Sequence, residues 1–146
     1  MSIFLLASFT LKLSEIKELE IKTQIKPILE KQGKPGNCTT PVEVDPEEAY
    51  YFIIEKKPLI IDVRTQEEYK TERLCNVSYN IDFYSPDFKD RLNQLDKNQN
   101  YLIYCRTGRR SAQTLEIMKE LGFRNIHHIK GGISAWKEKG YPTCKD

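Results

Sequence analysis

Two hydrophobic periodicities alternate along this chain from about residue 42 onward. Pro58-Leu59-Ile60-Ile61-Asp62-Val63 and Tyr101-Leu102-Ile103-Tyr104 are apolar runs without polar alternation, the pattern of strands buried on both faces. Val42–Val44, Val77–Ile81 and Asn125–Ile129 read as further strands. Between them lie helical signals. Asp45-Pro46-Glu47-Glu48 offers an N-cap, a proline at the first helical position and acids in the first turn. Thr65-Gln66-Glu67-Glu68-Tyr69 opens like a capped helix, and Asp87–Leu95 puts Phe88, Leu92 and Leu95 on one side. Ala112, Leu115, Met118 and Leu121 recur at three-residue steps and stop at Gly122, and Ile133–Lys139 forms a last helix around Trp136, a core residue by type. Strands alternating with helices predict an α/β fold: a central parallel sheet with helices on both faces.

The first forty residues are different in character. Ser14–Glu30 carries Ile16, Leu19, Ile25, Ile28 and Leu29 among Lys and Glu, an amphipathic helix interrupted at Pro27. Lys31–Asn37 is a linker by composition. The boundary is therefore expected near residue 40, with an N-terminal extension over 1–40 and the α/β domain over 41–146. Met1–Thr10 is apolar, but no Lys or Arg precedes the run and no Ala-x-Ala site follows it, so it reads as a strand or packed tail. That favours a cytoplasmic protein, with export the alternative if the segment belongs to a signal.

With 146 residues, 39% of them apolar, the chain can bury one proper core. A net charge of +2 does not point to nucleic acid or to a membrane surface. No apolar run approaches the roughly 18 residues that a membrane helix needs. Cys38, Cys75, Cys105 and Cys144 match no paired Cys-x-x-Cys pattern, so neither a metal nor any other cofactor is expected. Scattered free thiols in a reducing compartment are the simpler account of them.

Cys105 is the chemical focus. It follows the buried strand and opens the loop Cys105-Arg106-Thr107-Gly108-Arg109-Arg110-Ser111, which runs into a helix. A strand-end cysteine, a short cationic loop and a helix N-terminus together favour the thiolate, the nucleophilic form. A thiol ionises near about 8.5, and holding it ionised two units lower requires about 2.7 kcal/mol. A helix dipole supplies only about 0.3–1 kcal/mol. The rest must come from loop N–H groups and guanidinium groups, so Arg106–Ser111 is expected to form an amide cradle, with Gly108 taking φ > 0 where the loop turns back.

Three blocks together resemble the rhodanese (sulfurtransferase) family. Leu59-Ile60-Ile61-Asp62-Val63-Arg64 with Glu67-Glu68-Tyr69 is similar to the family's Asp-Val-Arg strand and the Glu-x-Tyr after it. Tyr104–Ser111 resembles its active-site loop. Gly122-Phe123, Gly131-Gly132-Ile133-Ser134-Ala135-Trp136 and Gly140-Tyr141-Pro142 resemble its closing stretch. The resemblance spans about Val42 to Pro142. One segment departs from it: Glu72-Arg73-Leu74-Cys75-Asn76-Val77 stands where the family usually shows Gly-His-Ile-x-Gly-Ala, implying a different turn.

The resemblance implies a rhodanese-like fold and sulfane-sulfur transfer through a Cys105 persulfide. The donor would be small and anionic, such as thiosulfate, and Arg106, Arg109 and Arg110 suit it. The acceptor would be a thiol, cyanide or a sulfur-accepting protein. A related architecture resembles Cys-x5-Arg in phosphatases and arsenate reductases, but here the sixth position is Ser111 and Arg110 falls one earlier, so a smaller group is expected in the loop. A docking module of the same fold is the rival from another class. Asp62 and Arg64 lie two apart on a strand, hence on one side, and are expected to pair, with pocket support as the second role. Arg110 is the loop arginine expected to be partly structural. His127 and His128 point in opposite directions and receive no role. Cys144 either floats in solvent, the favoured reading, or reaches Cys105 as a resolving thiol.

Overall fold

The computed structural model describes residues 42–146. The N-terminal apolar run, the helix expected over Ser14–Glu30, the linker and Cys38 lie outside the described residues.

Within the described residues the sheet has five strands, all parallel, in the order β1-β6-β5-β2-β4. Its members are β1 (Val42–Val44), β2 (Leu59–Asp62), β4 (Tyr79–Asn80), β5 (Asn100–Tyr104) and β6 (Asn125–Ile129). The two unalternating apolar runs lie side by side at the centre, with Ile61 opposite Ile103 and Asp62 opposite Tyr104. Both faces of these strands are covered, so neither needed a polar side.

Side chains alternate between two layers, as strand geometry requires. Ile61, Ile103 and Ile126 face helices α3 (Phe88–Asn93) and α4 (Arg109–Glu120), meeting Phe88, Leu92, Leu115 and Met118. Ile60, Leu102 and Ile129 face helices α1 (Pro46–Lys56) and α5 (Gly132–Glu138), meeting Ala49, Ile133 and Trp136. Full burial of each aliphatic side chain stabilises by about 1.5–3 kcal/mol. Trp136, 2% exposed, also donates its indole N–H to the Pro142 carbonyl at 2.9 Å.

Local signals set the helix starts. In α1 the Glu48 carboxylate accepts from the Asp45 N–H at 3.3 Å. In α2 (Gln66–Thr71) the Thr65 hydroxyl accepts from the Glu68 N–H, and the Glu68 side chain accepts from the Thr65 N–H. Two expected elements are shorter than the pattern implied. The α3 helix ends at Asn93, because the Leu95 N–H turns back three residues to the Leu92 carbonyl. Strand β4 covers only Tyr79–Asn80, flanked by Ser78 and Ile81, whose N–H groups still donate to the Ile60 and Asp62 carbonyls.

The segment that departs from the family pattern has its own structure. Arg73–Leu74 (β3) pairs antiparallel with Thr143–Cys144 (β7), Arg73 opposite Cys144. That pairing brings Cys75 to a Cα separation of 5.1 Å from Cys144, and the two form a disulfide. The expectation of free thiols is corrected here, and so is the free or resolving Cys144. A contact 69 residues apart in sequence depends on β3–β7 pairing, which no local spacing encodes. Among the described residues Cys105 is the free cysteine, and it is buried.

A cross-link closing so long a loop stabilises by about 4 kcal/mol in the chain-entropy account. Replacing Cys75 and Cys144 together by alanine should lower the thermal midpoint by about 10 °C or more, measured by circular dichroism.

Candidate active site

The loop begins where β5 ends, at the carboxyl edge of the parallel sheet, where open α/β sheets place their ligands. Cys105 is 1% exposed. Its Sγ accepts the Gly108 N–H at 3.1 Å and the Ser111 N–H at 3.4 Å, and it lies 3.5 Å from the Ser111 hydroxyl. Two backbone N–H donors are thus aimed at the sulfur. Gly108 takes φ +97°, the left-handed turn expected there, and caps α4. A side chain at Gly108 would also meet the Gly131 nitrogen at 3.1 Å.

The α5 helix holds the loop from the other side. Its Ile133 and Ser134 N–H groups donate to the Cys105 and Arg106 carbonyls at 2.9 and 3.1 Å. Gly132, at φ +60°, makes this approach possible, since a Cβ there would fall 2.6 Å from the Arg106 carbonyl carbon. Both loop carbonyls are thereby committed to α5.

The three loop arginines divide. Arg106 and Arg109 are exposed, as is Thr107. Arg110 pairs with both oxygens of Glu68 at 2.8 and 2.9 Å and lies over the Tyr84 ring. Glu68 thus serves two elements, capping α2 and neutralising Arg110. The Arg110 guanidinium, aided by the Thr65 N–H and hydroxyl, holds the Glu68 carboxyl down at about 2 against the opposing effect of burial. Sequence reading assigned Glu68 no such role, although its capping-box spacing from Thr65 was visible.

Asp62 and Arg64 sit behind the loop. Asp62, wholly buried, accepts Arg64 Nε at 3.0 Å, Arg64 Nη2 at 2.7 Å and the Tyr104 hydroxyl at 2.6 Å. Arg64 Nη2 also donates to the Glu72 carbonyl at 2.7 Å, and Tyr104 Oη accepts the Leu74 N–H at 3.2 Å. Asp62 and Arg64 pair as expected, and Arg64 reaches from the pair to the variant segment. Arg64 and Arg106 also line an open cleft of about 620 Å³ beside the loop, together with Glu67, Glu68, Glu72 and Lys137.

His128 is the residue that sequence reading passed over. It is 3% exposed, with Nδ1 3.1 Å from the Ser111 hydroxyl and Nε2 3.2 Å from a Glu43 oxygen. His127 points to the opposite layer, against Phe52. Burial pushes both imidazoles down, and for His128 the Glu43 carboxylate opposes that push. Among the described residues no group of three or more His, Cys, Asp or Glu is placed to hold a metal ion, and no helix is long and apolar enough to cross a membrane.

A five-stranded parallel α/β sheet with a buried cysteine in a glycine-turned loop at its carboxyl edge defines a class. The rhodanese-like domain profile matches residues 45–139, and the chain belongs to that family. A rhodanese-related protein of Thermoplasma volcanium is 28% identical, with a TM-score of 0.64 over 72% of this chain and 99% of that one. The polysulfide-sulfur transferase homodimer of Wolinella succinogenes shares the fold at 23% identity, with a TM-score of 0.60 over 93% of this chain and 95% of that one. Among curated relatives, the thiosulfate sulfurtransferase GlpE of Coxiella burnetii is 27% identical, matching 66% of this chain and 86% of that protein. A tRNA uridine(34) hydroxylase of a Wolbachia from Brugia malayi is 32% identical over 66% of this chain, but the chain spans only 36% of that relative's length.

The Glu68 carboxyl titrates far below its usual 4.5 in the folded protein, so its contribution is complete above that value and is lost as pH falls toward 2. Glu68→Gln should therefore cost about 1 kcal/mol near neutrality, and the difference from wild type should shrink steadily below pH 4.5. Denaturant titration across that range measures it.

Proposed function

We propose that this domain is a sulfurtransferase that takes sulfane sulfur from thiosulfate or a similar small anion and passes it to a thiophilic acceptor. The observation that carries the reading is the pair of N–H groups, from Gly108 and Ser111, aimed at the buried Cys105 sulfur. The Cys105 thiolate attacks the outer sulfur of thiosulfate, an S–S bond forms, and sulfite leaves with the electron pair of the broken bond. The persulfide then gives its terminal sulfur to cyanide or a thiolate and the Cys105 thiolate returns. Arg106 and Arg109, exposed at the loop, supply the cations that a dianionic donor needs. The likeness to the thiosulfate sulfurtransferase of Coxiella burnetii supports the same direction.

A phosphoryl-handling enzyme fits less well, because Arg110, the arginine nearest the position that the Cys-x5-Arg pattern requires, is engaged by Glu68 on both sides of its fork. The docking alternative leaves the sulfur-directed N–H groups without a use. The Cys75–Cys144 disulfide favours an oxidising compartment over the cytoplasm.

The test is intact mass after incubation with thiosulfate, beside Cys105→Ser. Wild type should gain one sulfur and lose it to cyanide as thiocyanate appears, and the variant should gain none. No adduct on wild type overturns the reading for this donor, and an adduct on Cys105→Ser overturns the nucleophile. Gly108→Val, which disturbs the φ +97° turn, should lower thiocyanate turnover by about 10²-fold. Unchanged turnover would refute the cradle.

A further inference from the structure

We propose that His128 and Glu43 are positioning residues for Cys105, forming with Ser111 a proton relay from the buried sulfur to the edge of the sheet. The chain of contacts is continuous: Cys105 Sγ to Ser111 Oγ at 3.5 Å, Ser111 Oγ to His128 Nδ1 at 3.1 Å, and His128 Nε2 to Glu43 Oε2 at 3.2 Å. Burial grades along it. Cys105 is 1% exposed and the His128 side chain 3%, whereas the Glu43 side chain is 52% exposed. The fold builds the line directly, since Glu43 lies opposite His128 across β1–β6, His128 opposite Ile103 across β6–β5, and Ser111 is in the first turn of α4.

A buried histidine can be satisfied by any two polar neighbours, so the proton inventory decides what this one can do. An ionised carboxylate only accepts, so Nε2 must carry a hydrogen toward Glu43. In the neutral ring Nδ1 is then a bare lone pair, and it faces a hydroxyl. Burial disfavours the charged ring at rest, which leaves that lone pair free. Ser111 can donate to Nδ1 while accepting from the Cys105 S–H. Its alternative acceptor is the Gly108 carbonyl at 3.1 Å.

Ionisation then needs no water at the sulfur. The S–H proton passes to Ser111 Oγ as the Ser111 proton passes to Nδ1. One S–H and one O–H bond break, one O–H and one N–H bond form, and nothing is oxidised. The products are the Cys105 thiolate and the His128 imidazolium, whose charge faces Glu43. The Ser111 hydroxyl, now accepting from Nδ1–H, turns its own proton to Gly108 O or to the thiolate.

This proposal rests on Cys105 being the nucleophile, and its test reads Cys105 itself, independently of sulfur transfer. The rate of Cys105 alkylation by iodoacetamide is followed by intact mass at fixed neutral pH. His128→Asn keeps an amide beside Ser111 but cannot take up a proton, and should slow alkylation about tenfold. Glu43→Gln, on an exposed side chain, should slow it about threefold, and Glu43→Asp should restore most of the rate. The deciding measurement is the double variant: Glu43→Gln should add nothing in the His128→Asn background. If His128→Asn does not fold, as judged by its melting curve, Ser111→Ala serves as the background that breaks the chain. No slowing by Glu43→Gln, or equal slowing in both backgrounds, overturns the relay. A relay that holds without a persulfide would fail the sulfurtransferase reading alone, and a persulfide formed equally fast by Glu43→Gln with unchanged alkylation would fail the relay alone.

Discussion

A carboxylate with no access to water sits where β2 meets β5, and much of the domain is arranged to keep it there. Asp62 is fully buried, and an unpaired charge in that position would cost several kcal/mol. It is stabilised from three directions, by the Arg64 backbone N–H, the Arg64 guanidinium and the Tyr104 hydroxyl. Each partner then does a second job. Arg64 holds the Glu72 carbonyl, Tyr104 holds the Leu74 N–H, and Asn80 reaches the Asp62 and Arg64 carbonyls at 3.1 and 2.9 Å. One buried charge thus orders the end of the central strands, the variant segment and the edge strand. Tyr104, locked in this way, is the residue before Cys105.

The loop is assembled from backbone around the Cys105 sulfur. Two N–H groups face the sulfur while the carbonyls of Cys105 and Arg106 are turned to the first turn of α5. Backbone can pack this closely only because Gly108 and Gly132 lack side chains. The charges are partitioned as well. Glu68 takes up Arg110, whereas Arg106 and Arg109 are exposed.

Away from the loop, the variant segment is held by side-chain contacts and a disulfide. Glu72 accepts from Lys137 and Thr143, Arg73 pairs with Asp146, and Cys75 is bonded to Cys144. These contacts reach to α5, to β7 and to Asp146 beyond it. Where the family pattern supplies glycines, this chain anchors the segment to residues 143–146.

Much of this was legible in the residues. The unalternating runs at Leu59–Val63 and Tyr101–Tyr104 determined two central strands, because only strands covered on both faces dispense with polar positions. The caps at Asp45 and Thr65, the loop after Cys105 and the left-handed turn at Gly108 followed from local chemistry that acts within a few residues. The two-residue spacing of Asp62 and Arg64 implied their pairing for the same reason. Tertiary structure decided the rest. That Cys75 meets Cys144, that Glu68 reaches Arg110 across 42 positions, and that Glu43 and His128 stand in line with Ser111 all depend on which strands and helices become neighbours. His128 by type and context was an unremarkable strand residue. Its neighbours come from β1 and α4, on either side of it in space and distant in sequence, and periodicity carries no information about such partners.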